Sequence, residues 1–230
     1  MRSLVLSDIH ANLDALEAVL EAAPPDEYDR VLVLGDLVGY GANPNEVVDR
    51  VFQLSPHTMI RGNHDKVASG VEDPVHFNEV AAAAARWTLN TLTTHNRERV
   101  AALPTGPVAV DDTIEVCHGT PYDEDVYVFS EAEVVRSLDV ASRPICFFGH
   151  THIPVGFARH PAGGELRTIV PEPKPACSTV VPIDNADRYL INPGSVGQPR
   201  DGDPRASYAL YDADTSRVEI NRVAYRVDLA

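Results

Sequence analysis

Arg30-Val31-Leu32-Val33-Leu34-Gly35-Asp36 is a short, unbroken apolar run that stops on a glycine and a carboxylate. A run of this length without polar alternation suits a strand buried on both faces. The same design precedes it, where residues 2–7 lead into Asp8-Ile9-His10, and follows it, where residues 57–60 lead into Arg61-Gly62-Asn63-His64-Asp65. Between the first two runs, Asn12 is placed to cap a helix in which Leu13, Leu16, Val19 and Leu20 recur at helical spacing, and Pro24-Pro25 stop it. Between the second and third, Pro44 suits the first turn of a helix carrying Val47, Val48, Val51 and Phe52. Strand, helix, strand, helix, strand at this spacing predicts a βαβαβ unit with a parallel sheet. Ligands of such sheets sit beyond the carboxyl ends of the strands. All three strands end on residues of metal-ligand type.

Further along, residues 78–102 are alanine-rich with Trp87, Leu89 and Leu92 and read as helical, with Trp87 and the run 81–85 as a packing face. Two more strand runs, 113–117 and 145–148, end in Cys117-His118-Gly119 and Gly149-His150-Thr151-His152. Residues 155–158, 166–170, 188–191, 206–211 and 218–227 predict antiparallel strands, with a hairpin at Pro161-Ala162-Gly163-Gly164. Residues 171–182, with four prolines, predict an exposed loop. The expected fold is mixed α/β (α+β), two packed sheets with helices outside.

Composition bounds the function. At 230 residues, with 44% hydrophobic and 23% charged residues, the chain can bury a core as one domain with a small cap. The net charge of −15 removes the basic footprint of a nucleic-acid binder, so no stable nucleic-acid binding is expected. That charge is awkward for handling phosphates, and a pair of bound divalent cations would resolve it locally. No apolar run approaches the ~20 residues needed to span a bilayer, and the N-terminus has no signal-peptide pattern; a cytoplasmic location is expected. Cys117, Cys146 and Cys177 have no metal or redox spacing. Cys117 and Cys146 lie in apolar runs as small hydrophobes, in keeping with reduced thiols.

The chemistry gathers after the strands. In extended backbone, residues two apart project to one side, so Asp8 with His10, and His150 with His152, are each expected to present two ligands to one cleft. Imidazole, carboxylate and amide oxygen suit Mn, Zn or Fe, whereas Ca favours oxygen throughout.

The ordered set Asp8-Ile9-His10, Gly35-Asp36, Gly62-Asn63-His64-Asp65, His118-Gly119 and Gly149-His150-Thr151-His152 resembles the calcineurin-like metallophosphoesterase superfamily. Asn192-Pro193-Gly194-Ser195-Val196-Gly197 resembles a segment of its smaller prokaryotic phosphodiesterase-like members. The resemblance implies a four-layer αββα sandwich, two mixed sheets flanked by helices, in a single domain over 1–230 with a small helical cap around 66–142. It implies two divalent metal ions: Asp8, His10, Asp36 and His152 would hold one, and Asp36, Asn63, His118 and His150 the other, with Asp36 bridging. Hydroxide held between the ions would attack phosphorus in line, without a protein nucleophile. His64 would contact the phosphoryl group and protonate the leaving oxygen. Asp65 would hydrogen-bond the His64 ring and fix its tautomer.

One departure concerns phosphate binding. Larger protein phosphatases of the superfamily read GDxxDRG, and that arginine helps hold phosphate. Here Gly35-Asp36-Leu37-Val38-Gly39-Tyr40-Gly41 has none, so the smaller bacterial type is the closer match. Arg200 is the candidate replacement, because its fork matches phosphate oxygens; a solvated loop arginine is the plain alternative. Tyr40, Asn43 and Tyr122 lie in loops expected to border the cleft. His57, His76, His95 and His160 read as structural or exposed, with His76 on the cap segment, and Asp123-Glu124-Asp125 reads as solvated. The expected activity is hydrolysis of a phosphodiester or phosphomonoester, the substrate a phosphorylated small molecule or nucleotide. Dinucleoside polyphosphate hydrolysis is a second reading. A non-catalytic protein-binding scaffold is a third, disfavoured because every expected ligand and His64 are present. No membrane partner is expected, and an apolar strand edge in the C-terminal half permits a homodimer.

Overall fold

The computed structural model describes residues 1–172 and 177–228. Its N-terminal third is the expected unit: β1 (Arg2–Leu6), α1 (Leu13–Ala22), β2 (Arg30–Val33), α2 (Pro44–Gln53) and β3 (Thr58–Met59). β1, β2 and β3 pair in parallel. The Asn12 side chain accepts a hydrogen bond from the Ala15 amide at 3.0 Å, satisfying one of the orphan donors of α1. Pro44 opens α2, where its missing N–H costs nothing.

Three short helices follow: α3 (Asn63–Ser69), α4 (Glu79–Thr91) and α5 (Thr94–Ala101). The helix expected over 78–102 is thus two, divided at Leu92 and Thr93 because the Thr93 hydroxyl caps α5 by accepting from the Asn96 amide at 3.2 Å. Next come β4 (Val108–Ala109), β5 (Ile114–Val116), α6 (Glu131–Val140) and β6 (Ile145–Phe147). The segment 66–142 therefore contains α4 and α5 but also two strands of a sheet. The C-terminal strands are β7 (Val155–Arg159), β8 (Arg167–Ile169), β9 (Ser178–Pro182), β10 (Arg188–Asn192), β11 (Ala206–Asp212) and β12 (Arg217–Val223). They pair antiparallel with one another, although β10 also pairs in parallel with β6. The loop expected over 171–182 ends in a strand. β9 pairs with β12, and its proline stands at the last position, Pro182. Residues 173–176 of that segment lie outside the described residues.

The strands form two mixed six-stranded sheets, ordered β3-β2-β1-β11-β12-β9 and β4-β5-β6-β10-β7-β8. Successive residues of β1 face opposite layers. Leu4 and Leu6 pack with Leu16 and Val19 of α1 and with Val47, Val48 and Val51 of α2. Val5 and Leu32 face the other way and meet Ile114, Ile145, Phe147 and Ile191 of the second sheet. The outer side of that sheet, including Cys146 and Leu190, is covered by Val134 and Leu138 of α6. The layers are α, β, β, α, as the resemblance implied. Each fully buried aliphatic side chain contributes about 1.5–3 kcal/mol against exposure, which holds the sheets rigid beneath the loops they carry. Cys117 and Cys146 are buried free thiols with Sγ atoms 3.5 Å apart, and Cys177 is exposed. No helix among the described residues is long and apolar enough to cross a membrane.

Candidate metal centre

The carboxyl ends of β1, β2, β3, β5 and β6 converge on one edge of the sandwich. There Asp8, His10, Asp36 and His152 each offer a ligand atom within 4.8 Å of the others, as do Asp36, His118 and His150. All six residues are buried. Asn63, the first residue of α3, joins the second group, its Oδ1 3.2 Å from His118 Nε2. The seven expected ligand positions are thus brought together, with Asp36 common to both groups.

How the backbone does this differs from expectation. Asp8, His10, Asp36, His150 and His152 all have left-handed backbone, with φ of 52°, 49°, 53°, 65° and 60°. Alternation along an extended strand therefore is not what pairs Asp8 with His10 or His150 with His152. The chain turns sharply at each donor instead. Left-handed backbone is uncommon for residues with a Cβ and costs of order 1 kcal/mol each. Such strain persists where surrounding structure over-determines it, and it gathers at functional sites. Two glycines make the crowding feasible. A Cβ on Gly62 would stand 2.1 Å from Asp36 Oδ1, and one on Gly149 2.0 Å from Ser7 Oγ.

The histidines are oriented by backbone carbonyls. His10 Nδ1 faces the Val38 oxygen at 3.1 Å, His118 Nδ1 the Leu34 oxygen at 2.8 Å, and His152 Nδ1 the Gln198 oxygen at 2.6 Å. A carbonyl oxygen only accepts, so each Nδ1 carries its hydrogen and Nε2 is turned to the site. His150 is reversed: its Nε2 donates to the Asp125 oxygen at 3.1 Å, which leaves Nδ1 as the donor atom. In consequence the lone pairs of His10 Nε2 and His152 Nε2 face one another at 3.0 Å. Asp36 Oδ1 accepts from the His64 amide at 2.8 Å, but Oδ2 is buried and makes no hydrogen bond among the described residues. It lies 3.6 Å from His10 Nε2 and 3.4 Å from His118 Nε2. Opposed lone pairs and an orphaned carboxylate oxygen are what a cation between them would satisfy. The residues fit divalent metal.

The protonation pattern carries the same demand. Burial lowers the pKa of His10, His64, His150 and His152, so those rings are neutral near pH 7. His118 moves the other way, to about 10: burial opposes its charge, but the adjacent Asp36 carboxylate outweighs it, aided by Asp8. Asp36 itself is held well below the usual carboxylate range, because the surrounding imidazoles, His118 first, overcome the effect of its burial.

His64 lies 5% exposed on the wall of a cavity of about 410 Å³ that opens from the centre. Its ring packs against Tyr40, Phe77 and His10 at centroid distances of 4.5, 4.6 and 5.0 Å, and its Nδ1 has no hydrogen-bond partner among the described residues. The expected contact from Asp65 to this ring is absent. Asp65 sits in the first turn of α3, and its two oxygens accept from the amides of Gly62 at 2.9 Å and Val38 at 3.2 Å. It closes the turn that carries Asn63 and His64, and burial together with Asp36 raises its pKa to about 7.

Tyr40 and Arg200 line the cavity, as does His76, while Asn43 sits at the start of α2 in a separate groove with His10 and Gly197. Arg200 is held by Gln198 Oε1 at 2.8 Å. Tyr122 is turned away, under the guanidinium of Arg136 at 3.6 Å. Tyr127 takes the place expected for it: its ring stacks on His150 at 3.7 Å, and no motif marks it. The acidic stretch 123–125 is not simply solvated. Lys66, 4% exposed, pairs with Asp125 at 2.7 Å and Glu124 at 3.2 Å, and Arg61 pairs with Glu124 at 2.9 Å. That network fixes the Asp125 carbonyl that orients His150. His57, His95 and His160 are exposed, away from the centre.

The Asn192-to-Gly197 segment supports the floor. Ser195 Oγ donates to the Asp8 carbonyl oxygen at 2.7 Å, and the amides of Val196 and Gly197 donate to the carbonyls of Ser7 and Asp8, both at 3.0 Å. Asn192 Nδ2 donates to the Gly149 carbonyl at 2.8 Å, beneath His150.

Buried carboxylates and imidazoles thus gather at the strand ends of a two-sheet sandwich, where they could hold metal ions. The family model of the calcineurin-like phosphoesterase superfamily domain matches residues 1–216, and the chain belongs to that superfamily. It is 36% identical to an uncharacterized protein of Methanocaldococcus jannaschii over 98% of this chain and 88% of that one. The crystal structure of a metallophosphoesterase from Sphaerobacter thermophilus is 37% identical, with a TM-score of 0.82 over 99% of this chain and 90% of the other. The phosphodiesterase YfcE of Escherichia coli K12 is 24% identical over 95% of this chain and 91% of that protein.

Proposed function

We propose that this protein hydrolyses phosphodiesters or phosphomonoesters with two divalent ions, Mn, Zn or Fe, drawn from the donor chemistry. The observation that carries the proposal is Asp36 Oδ2, buried without a hydrogen bond between two imidazole nitrogens. Asp8, His10, Asp36 and His152 would hold one ion, and Asp36, Asn63, His118 and His150 the other. When bound, such a pair activates water for attack and neutralises charge on an in-line phosphoryl transition state.

The chain's own residues do the rest. Val38, Leu34, Gln198 and Asp125 fix the ring tautomers through their carbonyls. His64 presents a neutral ring to the phosphoryl group and donates a hydrogen bond to the leaving oxygen from its ring N–H, keeping the proton. Asp65 acts through the backbone, holding the loop that aims His64. Arg200 pairs with a phosphate oxygen from the side of Tyr40 and Tyr127. The name of YfcE, a phosphodiesterase, supports the diester assignment. Five strained donors around a carboxylate oxygen without a hydrogen bond favour a metal-binding catalyst over a non-catalytic scaffold.

The test is turnover of bis-p-nitrophenyl phosphate by protein loaded in turn with Mn, Zn and Fe(II), with metal content measured. Release of p-nitrophenolate that Asp36→Asn eliminates is expected. Wild-type protein that holds metal and stays inert on mono- and diesters would overturn the proposal.

A further inference from the structure

The cavity beside the metal centre is lined by charge of both signs, with carboxylates in excess. Its lining includes Arg200, with no carboxylate partner among the described residues, and His64, whose buried Nδ1 makes no hydrogen bond among them. Val67, Phe77 and Ala81 add apolar surface, with the Phe77 ring against His64 at 4.6 Å. Three carboxylates, Glu72, Asp73 and Asp125, and one ammonium, Lys66, complete the charged lining. Lys66 contributes no free charge, since it is shared among Asp125 at 2.7 Å, Glu72 at 3.1 Å and Glu124 at 3.2 Å. The Asp73 carboxylate makes no hydrogen bond or ion pair among the described residues. One phosphate thus meets complementary charge at Arg200 and His64, and anything it carries shares the cavity with carboxylates that outnumber its free cations.

Resting on the phosphoesterase reading, we propose that this cavity selects esters with a single phosphate whose organic arm is uncharged or cationic, and that Asp73 and Glu72 exclude arms bearing further phosphates. The volume of about 410 Å³ suits a nucleoside- or amino-alcohol-sized arm. The Phe77 face accepts an aromatic ring or an ammonium group equally well. A polyphosphate chain has the opposite need, a row of cations, and of the cations in the described lining Arg200 alone has no carboxylate partner. Two like charges some 6 Å apart in a partly solvated site disfavour binding by roughly tenfold. A dinucleoside polyphosphate, with several such charges, is therefore excluded from the substrates.

Three p-nitrophenyl diesters test this, because all release the same phenolate and differ only in the retained arm. They are the phosphocholine ester (cationic), the thymidine 5′-ester (neutral) and the thymidine 5′-ester bearing a 3′-phosphate (anionic). With metal-loaded protein, kcat/KM for the neutral and cationic esters should exceed that for the anionic ester about tenfold or more. The gap should widen at low ionic strength. Asp73→Asn and Glu72→Gln should narrow it by raising the rate on the anionic ester. An anionic ester cleaved as well as the neutral one, or a ratio unmoved by Asp73→Asn, would overturn the proposal. If no ester turns over, the phosphoesterase reading falls by itself. Selectivity is then read from binding, as thermal protection of the metal-loaded protein by thymidine 5′-phosphate against thymidine 3′,5′-bisphosphate. Stronger protection by the bisphosphate overturns it there too.

Discussion

Replacing His152 by glycine and, separately, by alanine isolates the backbone strain stored at the metal centre. Both substitutions remove the imidazole, its hydrogen bond to the Gln198 carbonyl and its contact with His10. They differ only in the Cβ. At φ 60° an L-residue pays about 1–2 kcal/mol that glycine does not. Alanine recovers about 0.4–1 kcal/mol through its smaller unfolded-state entropy. The balance favours glycine by about 0.5–1 kcal/mol. For a chain of this size that is roughly 1–4 °C in Tm. Asn63 supplies the control: it is also a candidate ligand, but it begins α3 in right-handed backbone, so there alanine should be the more stable by about 0.4–1 kcal/mol. The assay is thermal unfolding by circular dichroism in chelator, because bound metal would add its own linkage stabilisation. An alanine variant at 152 as stable as the glycine variant, or no reversal of order at 63, would refute the strain argument.

Asp36→Asn or His118→Ala should abolish turnover with every metal, while His64→Ala should lower kcat at least about a hundredfold and leave metal content by atomic absorption largely intact. Lys66→Met should cost about 1.5–3 kcal/mol in urea unfolding and weaken the site that includes His150, since Asp125 loses its clamp; Lys66→Arg should restore part of both. His118 gives a pH signature. Its folded pKa of about 10 exceeds the unfolded 6.5, so the folded state holds more protons between them, and stability present below pH 6.5 is lost as pH rises toward 10. Chelated protein should therefore lose urea resistance between pH 7 and 9.5, and saturating Mn should abolish that slope by replacing the proton.

Much of this architecture is legible in the sequence because its signals are local. Asn12 and Pro44 mark two helix starts, and the apolar runs before Asp8, Asp36 and Asn63 mark the strands whose ends carry the donors. α6 carries an equally local signal, Ser130 with Glu133 three residues on, a reciprocal cap that marks one helix within the span expected only broadly as a helical cap. α3 is different. It is seven residues long, buried on every side and begins on a ligand, so it has no amphipathic stripe to read. β9 is obscured by proline density, although only Pro182 lies within it. The donor set is legible and its backbone is not: nothing in Asp8-Ile9-His10 separates an extended segment from one turning through left-handed φ. Lys66 and Tyr127 are invisible for another reason. Their roles depend on Asp125 and His150, which lie far away in sequence, and no spacing rule links them.

The orienting groups around the four histidines are main-chain carbonyls, and this has a testable consequence at Gln198. Its carbonyl oxygen holds His152 Nδ1 at 2.6 Å, while its side-chain Oε1 holds the Arg200 guanidinium at 2.8 Å. One residue thus serves the metal centre through its backbone and the cavity through its side chain. Gln198→Ala removes only the second function. Metal affinity should be unchanged within about twofold. Arg200 loses one charge-assisted hydrogen bond worth about 1.5–3 kcal/mol when well formed, an upper limit for this exposed pair. The substitution should raise KM for a phosphodiester several-fold and move kcat little, if Arg200 binds ground-state phosphate, or lower kcat as well, if it binds more tightly in the transition state. Loss of metal on Gln198→Ala would show that the side chain, not the carbonyl, sets the His152 tautomer. An unchanged KM and kcat together would return Arg200 to the status of a solvated loop residue.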